Sequence, residues 1–405
     1  MAADDTGFEG DRALIDGLFS PQGREDPQAV FRRSAQVGCR HAVARQILHS
    51  ANFGPAQVDD SDFEMFRMFK RWLLVLDGER HRTMRSAFGG QFIPRKVGAY
   101  RGPIEAKAGE LIDAVAEHGK MDLVCDFARP LPFTVICGVL GVPEERLAWI
   151  HDHMLTLGYG FARQREPTFV LAASDAATEL QAYFGVLLDQ RRREPREDLI
   201  SALARDLPGD PDTRAHLLAN CVFFIEAGHV TTVSLIAGGV LLLLQNPEQM
   251  SALVADPAKI AYAVEEMLRM ITPTTGVISR AAKDDEIAGC PFHAGEHRWA
   301  FLAAANRDPQ VFEDPDHFDS ARAPNPHLSF SAGKHFCLGA PLARLHGEIA
   351  VRTLLQRLPG LRLDGEPEWR GSFPLRELES LPVAWATGNR RHAHYNKRTA
   401  RPAWQ

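Results

Sequence analysis

The chain has 405 residues, 45% hydrophobic and 24% charged, with a formal net charge of -6. This is a globular composition, long enough to bury a large core and a cofactor, and an acidic balance without a basic stripe before the tail argues against nucleic-acid binding. Six cysteines (Cys39, Cys125, Cys137, Cys221, Cys290, Cys337) lack paired spacing, and the opening MAADDTGFEG is acidic rather than basic-then-apolar. Both point to a reducing cytoplasm and no secretion signal.

In chain order, apolar residues at three- and four-residue spacing predict helices over PIEAKAGELIDAVAEH (103–118) and ATELQAYFGVLLDQRRRE (177–194). The same spacing predicts helices from about Thr213 to Leu244, over PAKIAYAVEEMLRMI (257–271), and over PLARLHGEIAVRTLLQRL (341–358). Strand, turn and strand are expected within 276–306, and a further strand in SLPVAWA (380–386). The class is mainly α with a small β region. No linker, low-complexity run or repeat divides the chain, so residues 1–388 read as one domain and 389–405 as a basic tail, a frayed terminus or a partner-binding segment. Cys221 to Leu244 is long enough to span a bilayer, but Glu226 and His229 near its middle and the missing aromatic belt point to a core helix instead.

Two stretches carry chemistry. In FSAGKHFCLGAPLARL (330–345), Cys337 lies between Gly333 and Gly339 just before a helix with Pro341 in its first turn. Glycines admit close approach of a flat ligand, and amides ahead of a helix stabilise an anionic sulfur; the alternatives are a metal ligand, a nucleophile or a buried free thiol. The second stretch, EAGHVTT (226–232), interrupts the longest apolar run with Gly, His and two Thr.

Phe330-x-x-Gly333-x-x-x-Cys337-x-Gly339 resembles the haem-binding loop of the cytochrome P450 family. Further matches follow in the family's order: Glu266-x-x-Arg269 and Arg322 resemble its buried ion network, His81-x-x-x-Arg85 its propionate-facing helix, and EAGHVTT the oxygen-site kink of its long central helix over haem. The resemblance implies a haem b enzyme with Cys337 as proximal thiolate. His81, Arg85, Arg280 and His335 are then expected at the propionates; Phe330, Gly333 and Gly339 would shape the loop, and Ala227 and Gly228 keep the haem face small. Glu266, Arg269 and Arg322 would be structural. A small-molecule substrate, separate ferredoxin and ferredoxin reductase, a monomeric state, and no nucleic-acid or membrane partner are expected, with Lys334, Arg344 and His346 offering the ferredoxin a positive surface. Cys290, His293 and His297 have zinc-like spacing but fall where the family has a β-turn, and His392 and His394 lie in the tail.

The sequence departs from the family at Val230, which stands where the family usually has the acid of an acid–alcohol pair. Thr231, with Thr232 beside it, retains the hydroxyl, and Glu226 and His229 are the nearby titratable groups. Three readings follow: a ferredoxin-dependent monooxygenase or oxidative coupling enzyme with another proton source; a haem-thiolate enzyme with non-standard oxidant handling, peroxide-driven or nitric-oxide-reducing; or a non-catalytic haem-binding partner protein. FRRSAQVGCR (31–40) also leaves little room for the family's first hairpin. The family pattern places the substrate pocket at 52–69, 156–169, 221–231, 273–278 and around Phe373.

Overall fold

The computed structural model describes residues 40–56, 62–206, 210–372 and 374–387. The first hairpin region up to Cys39, Phe373 and the tail lie outside the described residues.

The helices that build the site are α1 His41–His49, α2 Gly78–Gly89, α3 Arg101–Val115, α4 Pro130–Leu140, α5 Leu147–Ala162, α6 Pro167–Arg193, α7 Pro211–Gln245, α8 Ile260–Ile271 and α9 Ala340–Arg357. Their periodicity sets their packing: in α8, Ile260, Val264, Met267, Leu268 and Ile271 are buried on one face, and the helix stops where Thr272 turns left-handed at φ 45. Helix α7 starts at Pro211 with the Asp210 side chain accepting from the Thr213 amide, 2.9 Å away. It runs 35 residues through the core, packed against α4, α8 and α9, so its apolar surface is largely covered by protein. The central helix extends past both predicted ends, since Pro211 is a favourable first-turn residue.

The β structure is small. Strands β1 Phe53–Pro55, β3 Val277–Ala281 and β6 His297–Ala300 form an antiparallel sheet in the order β1-β3-β6, pairing Phe53 with Ala281 and Val277 with Ala300. The strand–turn–strand segment also holds a second hairpin, β4 Asp285–Ile287 with β5 Cys290–Phe292. Strand β2 Lys120–Asp122 pairs with β10 Pro382–Ala384, which also pairs with β7 Arg362–Leu363. A last hairpin joins β8 Glu368–Ser372 to β9 Leu375–Ser380, and β9 lies on α7. The carbonyl of Pro374 accepts from the amide and hydroxyl of Thr275, at 2.7 and 2.9 Å, and the Arg376 amide donates to Pro273 at 2.9 Å. The hairpin is thereby fixed to the segment between α8 and β3.

Helices α7 and α9 meet closely where Gly347 faces Leu235 and Val264; a Cβ there would lie 3.2 Å from the Leu235 side chain. N-terminal to that crossing both elements lose their tight packing. Residues 226–231 of α7 are part-open although Phe224, Ile225 and Thr232–Leu241 are buried, and the loop 331–339 before α9 is part-open or exposed throughout.

Candidate active site

The loop before α9 is anchored at Phe330, a buried ring with the Arg344 guanidinium 4.6 Å above it. The amide of Cys337 donates to the Phe330 carbonyl at 2.8 Å, closing the loop. Gly333 has φ +68, and a Cβ on it would sit 2.3 Å from the Leu48 carbonyl oxygen. The loop therefore rests directly on the end of α1, and only glycine meets both demands. Gly333→Ala is expected to destabilise the protein by more than the roughly 1–2 kcal/mol of left-handed strain alone, because a backbone carbonyl must also move; thermal unfolding and haem retention measure it.

Cys337 is part-buried, and burial pushes its thiol up from the ordinary range. The amides of Gly339 and Ala340 and the charges of Arg85 and Arg344 act in the opposite sense. A thiol so placed ionises on binding a metal, when these amides and cations stabilise the sulfur.

Beside the loop, the rings of His81 in α2 and His335 stand 4.4 Å apart, and the Nε2 atom of each is buried without a hydrogen-bond partner among the described residues. Burial and neighbouring cations lower both, His335 to about 4. Arg85 donates to the Phe336 carbonyl at 2.7 Å, and Arg280 on β3 to that of Gly295 at 3.3 Å. Two orphaned imidazole nitrogens and two guanidiniums that reach only carbonyls among the described residues suit a ligand with anionic carboxylates. With the sulfur and its amides, these residues fit a haem.

Helix α7 shows no break at EAGHVTT: the α-helix is continuous there. The Thr231 hydroxyl donates to the Ala227 carbonyl at 2.7 Å and that of Ser234 to Val230 at 3.1 Å, so hydroxyls satisfy the carbonyls without opening the helix. Ala227, one turn before Thr231, lies on the same face of the helix. Gly228 is small for another reason: a Cβ there would lie 3.1 Å from Ile136, so helix α4 packs against it.

His229 is not placed to serve the cavity. Its Nε2 lies 3.2 Å from the Arg129 carbonyl, its ring packs edge-on to Phe133 at 5.3 Å, and burial lowers it to about 3. Thr232 is likewise buried. Glu226 remains as the titratable group on the part-open stretch, raised to about 7 mainly by burial and next by Glu377.

Glu266, Arg269 and Arg322 come together as expected. Arg269 and Glu266 are fully buried and doubly bonded at 2.7 and 2.8 Å, and Arg322 Nε donates to the same carboxylate at 3.1 Å. The expected positive docking surface does not form as described: Lys334 is bound by Asp77 at 2.7 Å, Arg344 by Glu265 at 2.7 Å, and His346 is buried. Helix α9 turns His346 inward, where its Nδ1 faces the Leu342 carbonyl at 3.1 Å. His293 is exposed beside Asp284 in the turn, whereas His297 opens β6, lowered by burial and then by Arg280.

Sequence reasoning missed Asn306. Its amide donates to Thr272 and Ser329 at 2.8 and 2.9 Å, and its oxygen accepts from the Leu328 amide at 2.7 Å, joining the end of α8 to the strand of chain leading into the Cys337 loop.

A family model described as cytochrome P450 matches residues 186–361. The chain is 41% identical to the biotin biosynthesis cytochrome P450 of Bacillus subtilis (strain 168) over 306 residues, 75% of this chain and 78% of that protein. It is 40% identical to nocardicin C N-oxygenase of Nocardia uniformis subsp. tsuyamanensis over 382 residues, 91% of this chain and 94% of that one. The crystal structure of P450BioI in complex with acyl carrier protein ligated to hexadec-9Z-enoic acid superposes with a TM-score of 0.82 at 37% identity, covering 86% of this chain and 91% of that chain. The extent of these matches, with the five motifs in the family's order, shows that the chain belongs to the cytochrome P450 family.

Proposed function

We propose that this protein is a haem b oxidoreductase of the cytoplasm that oxidises a small organic molecule, by hydroxylation or oxidative bond formation, in bacterial natural-product biosynthesis. Electrons come from a ferredoxin and its reductase. The observation that carries the reading is Cys337 under the Gly339 and Ala340 amides, beside the unpartnered imidazoles of His81 and His335. The oxygenase and biosynthetic relatives support the substrate class. The sequence has no Cys-x-x-Cys-His attachment motif, which supports a non-covalent haem.

Bound haem supplies the oxygen chemistry, with the thiolate favouring O–O cleavage. The chain's part is to ligate through Cys337, to hold carboxylates with His81, Arg85, Arg280 and His335, and to present the Ala227–Thr231 face of α7 to the cavity. Val230 provides no proton, and His229 stays neutral against Arg129. The Thr231 hydroxyl therefore orients solvent or substrate when it releases the Ala227 carbonyl.

A carbon monoxide difference spectrum tests the thiolate, and reconstitution with a ferredoxin and NAD(P)H tests turnover. Turnover with peroxide alone, and none with ferredoxin, would favour the second reading, which the missing acid at Val230 supports. Val230→Glu is expected to leave the spectrum unchanged and alter the product formed per electron pair several-fold, in line with the roughly 10²–10⁴-fold reach of a positioned proton donor; an unchanged ratio would refute this account of proton supply.

A further inference from the structure

Glu265 stands next to Glu266 on α8 but faces away from the buried ion network, its side chain 27% exposed where that of Glu266 is fully buried. Its carboxylate takes the Arg344 guanidinium side-on, from Nε at 2.7 Å and Nη2 at 2.8 Å, which fixes the plane of that group. The Ser329 amide donates to Nδ1 of His327 at 3.2 Å, so Nε2 of this ring carries the proton and donates to the same carboxylate at 3.2 Å. One carboxylate therefore joins α8 to α9 and to the chain leading into the Cys337 loop. Both partners close on Phe330: the guanidinium lies 4.6 Å and the His327 ring 5.9 Å from the centre of its ring. The Phe330 carbonyl accepts from the Cys337 amide at 2.8 Å, and both residues pack in one apolar cluster with Val264, Met267 and Leu268 of α8.

This second carboxylate is not needed to neutralise Arg269, which Glu266 already binds twice. We propose that Glu265 is a positioning residue for Cys337 that acts through Arg344: it holds the guanidinium on Phe330, at the seat of the sulfur-bearing loop, and balances the positive charge there. This rests on the haem-thiolate reading and assigns a further residue to the same site. Burial alone would raise the Glu265 carboxyl, but the bonds from Arg344 and His327 outweigh it and hold it down to about 2, so it is anionic near neutral pH. Arg344 in turn acts on the Cys337 sulfur in the same sense as Arg85. One-electron reduction adds a negative charge at a thiolate-ligated iron. An unbalanced cation beside the loop therefore favours the reduced form, and an unbalanced carboxylate favours the oxidised form.

The test titrates the holoenzyme with dithionite in the presence of mediator dyes, reading the midpoint potential from the haem absorbance and recording the carbon monoxide difference spectrum alongside. Glu265→Gln keeps the size of the side chain but leaves Arg344 uncompensated. It is expected to shift the reduction equilibrium about tenfold toward the reduced form, about 59 mV for one electron. Arg344→Met leaves Glu265 uncompensated and should shift the equilibrium the opposite way, while the double variant, with both charges gone, should lie close to wild type. A role confined to packing would move both single variants in the same direction or leave the potential where it is, and either result overturns the proposal. Should Glu265→Gln fail to retain haem, Arg344→Met decides: a lowered potential supports the charge balance, and an unchanged or raised one overturns it. A normal thiolate band in the wild type without opposed shifts in the variants defeats only this role of Glu265, whereas a wild type lacking the band defeats the proposed function.

Discussion

Replacing Arg269 by alanine is expected to lower the free energy of unfolding by about 3–5 kcal/mol, the cost of leaving a buried charge without its partner. Glu266 is fully buried and takes two bonds from Arg269, from Nε at 2.8 Å and Nη2 at 2.7 Å. The same guanidinium donates to the carbonyls of Asn306, Pro315 and His317 at 2.8, 2.7 and 3.2 Å, so its loss also frees the segment beneath the Cys337 loop. Arg322→Ala should cost less, because Arg322 is partly solvated and Arg269 continues to neutralise Glu266. Urea unfolding followed by fluorescence and by haem absorbance measures both; equal effects would show that the carboxylate does not depend chiefly on Arg269.

Cys337→Ser is expected to abolish the thiolate-type carbon monoxide band and to reduce oxidation by more than about 100-fold, the upper end of what even outer-shell changes cost a metal site. The backbone should hold, because the loop is closed by the Cys337 amide on the Phe330 carbonyl and by the fit of Gly333 against Leu48, neither of which uses the sulfur. Circular dichroism unchanged from wild type, together with the lost band, separates ligation from folding. Retention of the band would assign the thiolate elsewhere; the buried Cys221, raised to about 12, and the buried Cys137, raised further, are held protonated by burial alone.

Local chemistry made much of this legible. The periodicity of PAKIAYAVEEMLRMI implies one buried face, and α8 buries that face with Glu266 and Arg269 facing each other one turn apart. Gly333 announced a close approach, though the partner, a carbonyl at the end of α1, lies 285 residues earlier and carries no local signal. The same limit explains the errors. His229 and Glu226 look equivalent in the heptad, and only the packing of α4, which places the Arg129 carbonyl and Phe133 against His229, takes the imidazole away from the cavity. Gly228 looked like space for a ligand and proved to be space for Ile136.

By itself the sequence determined the helical class and placed Val230 where an acid would stand, because these follow from residue type and short-range spacing; Cys337 with its loop and the Glu266, Arg269 and Arg322 network were implied by the resemblance of their motifs to the cytochrome P450 family. Tertiary structure alone decided that the orphaned imidazoles of His81 and His335 stand side by side, that Lys334 and Arg344 are already paired, and that Glu379 takes Arg129 and Arg370. These depend on which side chains meet across elements distant in the chain, and electrostatic partnership, unlike helix periodicity, is set by that encounter.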